Sequence, residues 1–356
     1  MYQKICIKTS EIILTVLSSH TEIKDNAVCN PIAYFNTIYR LQSGVLRIAV
    51  AHNLNRDLAQ KQTLNKTFNY IDNESFTSSI VIHNFNTLTS SEKQALEAFY
   101  NWFKSQHFGR IELSDLYEMM LLLEFPVQDG AIAEDKENLN SIGSFYTPST
   151  LADKLVAITI DQYIFQNLGL MRFSCSDNSA VELQQTKELI SQSTFADYSC
   201  GTGSFFLAII RYLEHHLHFS KKELKAIVLH FYAIEADALS LEIAKIQILE
   251  AVDGLDFYPE LGKRFINGNP LIAPDTEAES FAYGHDFYYH NGLALHPKQI
   301  QHCDVIIGNP PWGTVGFDLN YYLHLLCPRL AEIDEEQKLD AALETLEETH
   351  PALYDW

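Results

Sequence analysis

The chain has 356 residues, of which 47% are hydrophobic, and this is enough for one large domain or for two smaller ones. Its formal net charge is −21 at pH 7, which opposes non-specific contact with nucleic acid or with an anionic membrane. Six scattered cysteines form no C-x-x-C pair, so the sequence predicts neither a disulfide framework nor a structural metal site, and a cytoplasmic location is expected. The N-terminal apolar run 12–17 is too short to suggest a membrane role.

Residues 1–125 are predicted to form a mainly helical N-terminal domain. In SEKQALEAFYNWF (91–103) and RIELSDLYEMMLLLEF (110–125), apolar residues recur at helical spacing, which predicts two packed helices. The aromatic stripe of the first is more typical of a protein core than of a ligand platform. The polar segment 126–143 that follows is predicted to be a linker.

Beyond the linker the pattern changes to short apolar runs that alternate with helical segments. This alternation is typical of an open parallel α/β sheet, in which ligands bind beyond the carboxyl ends of the strands. Helical segments are predicted after Ser204 and Asp237. The predicted core is 144–320, and an acidic helical segment is expected at 321–356. The four predicted strands are 195–199, 230–235, 264–268 and 304–309.

Two polar features follow the first two strands. In DYSCGTGSFF (197–206), Gly201 and Gly203 would let the backbone approach a ligand closely, although a generic strand-to-helix turn is the alternative. Glu235 ends the second strand, where a carboxylate can accept hydrogen bonds from both hydroxyls of a ribose. Asp237 is explained as the N-cap of the next helix.

An asparagine follows the third predicted strand, and another ends the fourth. Asn269 could touch the edge of a nucleobase or could belong to a Gly-Asn-Pro turn. In DVIIGNPPWG (304–313), two prolines make the chain rigid directly after the strand. Asn309, the carbonyl of Pro310 and the ring of Trp312 then offer two acceptors beside a stacking face, a set that suits a planar aromatic amine.

The order of these motifs resembles that of the N6-adenine DNA methyltransferases of the gamma arrangement, especially the methylase parts of type I and type IIG restriction-modification systems. GSFYTPSTLADKLV (143–156) is similar to the family's G-x-Y-T-P motif, 197–206 to D-P-x-C-G-S-G-x-F, and NPPW to the catalytic N-P-P-Y/F/W. The resemblance covers 143–312.

This resemblance implies S-adenosyl-L-methionine as cofactor, a partial Rossmann-like methyltransferase sheet, and an adenine flipped out of duplex DNA as the substrate. It implies catalytic roles for Asn309, Pro310, Pro311 and Trp312. It implies cofactor contacts from Tyr146, Thr147, Pro148, Asp197, Cys200, Gly201, Gly203, Phe205, Glu235, Asn269 and Asn309.

The sequence departs from the family pattern at two positions: Tyr198 replaces a proline, and Asn269 stands where many members have aspartate. A protein glutamine methyltransferase, which uses a similar N-P-P-Y motif, and a catalytically silent cofactor-binding regulatory subunit remain as alternatives. C5-cytosine methylation is not supported, because it needs a Pro-Cys pair and Cys327 precedes Pro328.

The part of the chain after Trp312 carries no strand-like run. Together with the acidic net charge, this leads us to expect a second protein subunit that supplies the remaining strands and a more basic target-recognition domain. An artificially shortened chain is the alternative.

Overall fold

The computed structural model describes residues 1–24, 27–54, 62–73, 88–128, 131–132, 147–170, 179–235, 237–267, 282–283, 292–293 and 303–310. The predicted acidic segment 321–356 lies outside these residues. No helix in the described ranges is long and apolar enough to cross a membrane.

The first part of the chain is a group of packed helices. The two helices predicted from apolar spacing are present, and each packs against the two long helices that precede them. The first of the two begins after a capping box, in which Thr89 and Glu92 satisfy each other's backbone N–H groups. The elements are α1 (Tyr2–His20), β1 (Ile23–Lys24), β2 (Ala27–Val28), α2 (Pro31–Leu54), α3 (Leu64–Asn73), α4 (Ser90–Ser105) and α5 (Leu113–Leu121).

The predicted linker starts with a small antiparallel hairpin, formed by β3 (Val127–Gln128) and β4 (Ala131–Ile132). β4 contacts α1, so the first part of this segment is attached to the helical group.

The rest of the described chain alternates between helices and strands. α6 ends at Gly169, whose φ of 70° is the left-handed conformation that commonly stops a helix. The elements are α6 (Ser149–Leu168), α7 (Ala180–Gln192), β5 (Phe195–Asp197), α8 (Ser204–His215), α9 (Lys221–Val228), β6 (Phe231–Glu235), α10 (Ala238–Ala251), α11 (Tyr258–Gly262), β7 (Phe265–Asn267), β8 (Ala282–Tyr283), β9 (Gly292–Leu293) and β10 (Val305–Ile306).

Four of these strands form one parallel sheet in the order β10-β5-β6-β7. All four lie within the predicted strands, and α8 and α10 follow Ser204 and Asp237 closely, so the α/β prediction is confirmed at this level. The remaining pair, β8 and β9, is antiparallel and separate. In this sheet β5, the first of the four strands in chain order, lies between β6, the second, and β10, the last.

Helices α8 and α10 contact each other and cover the sheet. The ring of Phe206 in α8 stacks on Phe231 of β6 with 4.7 Å between centroids, and it also contacts Phe265 of β7. These three aromatic rings are buried and fix α8 against two neighbouring strands.

Helix α10 lies between the sheet and the N-terminal helices. It packs on β6 and β7 and also on α5. Residues 239–249 are all buried, so this helix has no exposed stripe over that length. At its far end, Arg110 of the N-terminal part forms an ion pair with Glu250 at 2.8 Å. The buried side chains of both parts therefore form one continuous core.

Candidate functional site

The carboxyl edge of the parallel sheet collects the ends of its strands. Asp197 is the last residue of β5, Glu235 the last of β6, and Asn267 the last of β7. The segment 307–310 leaves β10 at the same edge, because all four strands are parallel. This is the edge at which parallel α/β sheets bind ligands.

The turn between β5 and α8 depends on two glycines. Gly201 and Gly203 have φ values of 52° and 88°, a left-handed conformation that other residues adopt at a cost. A Cβ at Gly203 would also lie 3.1 Å from the Cβ of Ala244, so α10 packs closely against the turn. The turn is held to β6 by the N–H of Cys200, which donates to the carbonyl of Ile234 at 3.2 Å.

The carboxylate of Glu235 is oriented by backbone donors. The N–H of Gly201 donates to its Oε2 at 2.7 Å, and the N–H of Asp237 donates to its Oε1 at 2.9 Å. A carboxylate offers about four acceptor positions, so this arrangement is compatible with additional donors from a ligand. Glu235 thus links the Gly-rich turn to the start of α10.

Asn267 adds a contact that the sequence did not reveal. Its Nδ2 donates to the carbonyl of Glu235 at 2.9 Å, which ties the ends of β6 and β7 together. Sequence analysis selected Asn269, which lies outside the described residues. The signal that could have identified Asn267 is its place at the end of a strand next to the one that carries Glu235.

Asp197 is a buried acid beneath the turn. Only 1% of its surface is exposed, and its Oδ1 accepts the N–H of Ser199 at 3.0 Å. No described residue donates a hydrogen bond to its buried Oδ2. Burial, with a smaller contribution from the charge of Glu235, raises the pKa of Asp197 from 3.8 to about 7, despite the opposing bond from Ser199.

The segment after β10 lies directly against this acid. A Cβ built at Gly308 would be 2.4 Å from Oδ1 of Asp197 and 3.1 Å from its Cγ, so only a glycine fits there without a shift. Asn309, which is half-buried, and Pro310, which is exposed, follow at once. Gly308, which the sequence analysis did not single out, is therefore what allows 309–310 to approach the end of β5.

Other predicted residues fall into three groups. Cys200 and Phe205 are buried, and burial raises the pKa of the Cys200 thiol well above its ordinary value. Thr147 and Pro148 precede α6, which packs on both α8 and β10. Tyr146, Pro311 and Trp312 lie outside the described residues, as Asn269 does.

Helix α6 is fixed to α8 by polar contacts as well as by packing. Asp153 accepts from both Nε and Nη2 of Arg211, at 2.9 and 2.6 Å, and Asp161 accepts from the hydroxyl of Tyr212 at 2.6 Å. The helix that follows Thr147 and Pro148 is therefore held on the helix that follows the Gly-rich turn.

No protein-family profile and no curated protein matches the chain. Among solved structures, the chain is similar to a nuclease-deletion mutant of the Type ISP restriction-modification enzyme LlaGI in complex with a DNA substrate mimic, with 16% identity and a TM-score of 0.31. The alignment covers 72% of this chain and 19% of the other, so this chain spans about a fifth of that chain's length. A similarity this low assigns neither a family nor an activity.

Within the described ranges, no three His, Cys, Asp or Glu side chains meet in a way that could hold a metal ion. The chemical groups that do meet at this edge are carboxylates, an amide and backbone N–H donors at a glycine turn. Such a set can bind a polar ligand with hydroxyl groups and can orient an amino group, without supplying a nucleophile.

Proposed function

We propose that this protein binds S-adenosylmethionine at the carboxyl edge of the sheet and methylates the N6 amine of adenine in DNA. The observation that carries the proposal is the meeting of three segments at one edge: the Gly201–Gly203 turn, Glu235, and the segment from Gly308 to Pro310. The same three segments carry the sequence resemblance. These segments are far apart in the chain, and the fold brings them to one edge of the sheet, which supports the proposal.

The residues at this edge fit the cofactor. Glu235 is held by backbone donors at the place where a ribose diol would be recognised, and one of these donors is the N–H of Gly201 in the turn. The buried Oδ2 of Asp197, to which none of the described residues donates a hydrogen bond, offers an acceptor beneath the turn. When bound, S-adenosylmethionine would supply the methyl group that is transferred.

The chain's own residues would prepare the acceptor nitrogen. The lone pair of an exocyclic amine is delocalised into the ring, which makes the nitrogen a poor nucleophile. If the side-chain oxygen of Asn309 and the carbonyl of Pro310 each accept one N–H, that lone pair becomes available and the base is held in place. No covalent bond between the base and the chain is then needed. The nitrogen–carbon bond would form as the carbon–sulfur bond of the bound sulfonium breaks, and the proton that the nitrogen loses would pass to solvent.

The charge of the chain bears on how DNA would be held. A net charge of −21 opposes contact with a polyanion. We therefore propose that a more basic chain or domain contributes most of the DNA-binding contacts. Trp312, which lies outside the described residues, is proposed to stack on the flipped base.

The experiment has two arms. Calorimetry with S-adenosylmethionine tests cofactor binding, and transfer of a labelled methyl group to duplex DNA or to a glutamine-containing peptide tests the substrate. Asn309→Ala should lower transfer at least about a hundredfold while it changes cofactor affinity only a few-fold, because its proposed contact is to the target base. Asn101→Ala, at an exposed position of α4, is the matched control and should behave as the parent does.

Transfer to the peptide but not to DNA would replace the adenine proposal with the glutamine one. Binding of the cofactor with transfer to neither substrate, even after a DNA-binding partner is added, would indicate the silent regulatory subunit. An Asn309→Ala protein with parental transfer rates would remove Asn309 from the mechanism.

A further inference from the structure

Helix α5 of the N-terminal group presents two polar side chains to α10. Ser114 and Tyr117 are three residues apart, so they lie on the same side of α5. Tyr117 is only 2% exposed, and α5 packs against α10. A helix that the sequence places outside the α/β core thus contacts the helix that begins at the candidate site.

Tyr117 reaches the candidate site through Asp237. Its hydroxyl donates to Oδ2 of Asp237. The same carboxylate also accepts the N–H of Leu239 at 3.0 Å and the hydroxyl of Ser240 at 2.7 Å, so donors fix both of its oxygens. The backbone N–H of Asp237 is in turn one of the two donors that orient Glu235, at 2.9 Å.

A second, longer connection runs from Ser114. Its hydroxyl donates to Oε1 of Gln247 at 3.4 Å, and Nε2 of Gln247 donates to the carbonyl of Thr202 at 3.1 Å. Thr202 lies between the two glycines of the turn and is fully buried. Helix α5 is therefore connected through α10 to both the turn and the acid of the candidate site.

We infer that Tyr117 is a positioning residue of the cofactor site, which acts through Asp237 on the carboxylate of Glu235. This inference rests on the proposed function, since it assigns Tyr117 a role in binding the same cofactor. Removal of the Tyr117 hydroxyl takes one donor from the carboxylate of Asp237. The orientation of that carboxylate sets where α10 begins. The N–H that holds Oε1 of Glu235 then loses its fixed direction, and a ligand that bonds to Glu235 binds more weakly.

The central experiment is a double-mutant cycle on cofactor affinity, measured by calorimetry in the full chain. Tyr117→Phe should raise the dissociation constant for S-adenosylmethionine roughly three- to tenfold, the lower part of the range for side chains in one hydrogen-bonded network. In a Glu235→Gln background the same change should have less than about a twofold effect, because the group on which Tyr117 acts has been altered. A tyrosine with a purely structural role would weaken binding equally in both backgrounds.

Tyr100→Phe is the matched control. Tyr100 is also only 2% exposed, lies in the neighbouring helix α4, and has a hydroxyl 2.7 Å from Oγ1 of Thr67. Like Tyr117→Phe, this control removes one buried tyrosine hydroxyl, but that hydroxyl does not contact Asp237. It should leave the dissociation constant for S-adenosylmethionine unchanged. Asp237→Asn is the alternative variant if Tyr117→Phe does not fold, because the asparagine can still cap α10. It should weaken cofactor binding when Glu235 is present. It should have no such effect in the Glu235→Gln background.

The outcomes separate the inference from the proposed function. If the parent protein binds no S-adenosylmethionine, the proposed function fails and the inference fails with it. If the parent binds and Tyr117→Phe binds equally well, or if its loss persists undiminished beside Glu235→Gln, only the inference is overturned.

Discussion

Asp197→Asn should change how the stability of this protein depends on pH. Asp197 has a pKa of about 7 in the folded chain against an ordinary value of 3.8, because its carboxyl is buried. Between these two values the folded chain keeps the proton that the unfolded chain has already released. Stability from this group is therefore fully present below pH 3.8 and is lost as the pH rises through about 7.

The size of the effect follows from the two pKa values. A difference from 3.8 to about 7 corresponds to about 4 kcal/mol of unfolding free energy, at about 1.36 kcal/mol for each pH unit. Roughly 2 to 3 kcal/mol of this loss falls between pH 5 and pH 8. The amide introduced by Asp197→Asn would not titrate, and it keeps a side-chain oxygen for the N–H of Ser199.

Urea unfolding at pH 5 and pH 8 measures the effect as a difference between variant and parent. The unfolding free energy of the variant should rise relative to that of the parent as the pH rises. Taking the difference between the two proteins cancels the contributions of the other titrating groups. Glu118→Gln is a positive control outside the candidate site: burial also raises the pKa of Glu118, in α5, to about 7, so this variant should likewise gain stability relative to the parent as the pH rises. A constant difference between Asp197→Asn and the parent over this range would refute the argument.

The same titration should affect ligand binding under the proposed function. S-adenosylmethionine carries positive charge, so it should favour the ionised form of Asp197 and bind the parent more tightly as the pH rises from 6 to 8. Asp197→Asn should lose this dependence, whereas Glu118→Gln should keep it. Equal pH dependence in all three proteins would separate Asp197 from the cofactor.

Two further substitutions test the geometry of the site. Glu235→Gln should raise the dissociation constant for S-adenosylmethionine by roughly tenfold or more, since charge-assisted hydrogen bonds are about twice as strong as neutral ones, and calorimetry on the folded variant decides this. Gly203→Ala should lower stability by about 1–3 kcal/mol, because φ is 88° and the new methyl group would meet Ala244 at 3.1 Å; an unchanged denaturation midpoint would contradict this.

The four strands of the parallel sheet could be predicted from sequence because each is a short apolar run bounded by turn residues, whereas the two-residue strands of the three hairpins carry no such run. Their ends were less predictable. The run 195–199 ends as a strand at Asp197, since Ser199 turns back to donate to that carboxylate, and a local pattern does not contain this bond. The segment 126–143, predicted as a linker, begins with a hairpin that contacts α1, a distant part of the chain.

The placement of the candidate site's residues at one sheet edge was predictable for residues in recognisable motifs, and less so for residues whose place depends on contacts with distant parts of the chain. Glu235 and the glycines of the turn stand at strand ends, and the structure brings them within hydrogen-bonding distance of each other. Tyr117 lies in the segment 110–125, whose helical spacing predicts a packed helix, yet spacing cannot tell which partner a buried hydroxyl meets. Gly308 was overlooked because its importance lies in the nearness of Asp197, far away in sequence.

The burial of α10 on all sides has a consequence for folding. One side of this helix is covered by the sheet and another by α5, and its buried Glu242 is paired with Lys245 and accepts from Tyr258. Neither layer alone can cover the helix, and an uncovered α10 would expose apolar residues together with part of this polar cluster. The two layers are therefore expected to unfold in one cooperative transition, with the amides of α10 among the last to exchange with solvent.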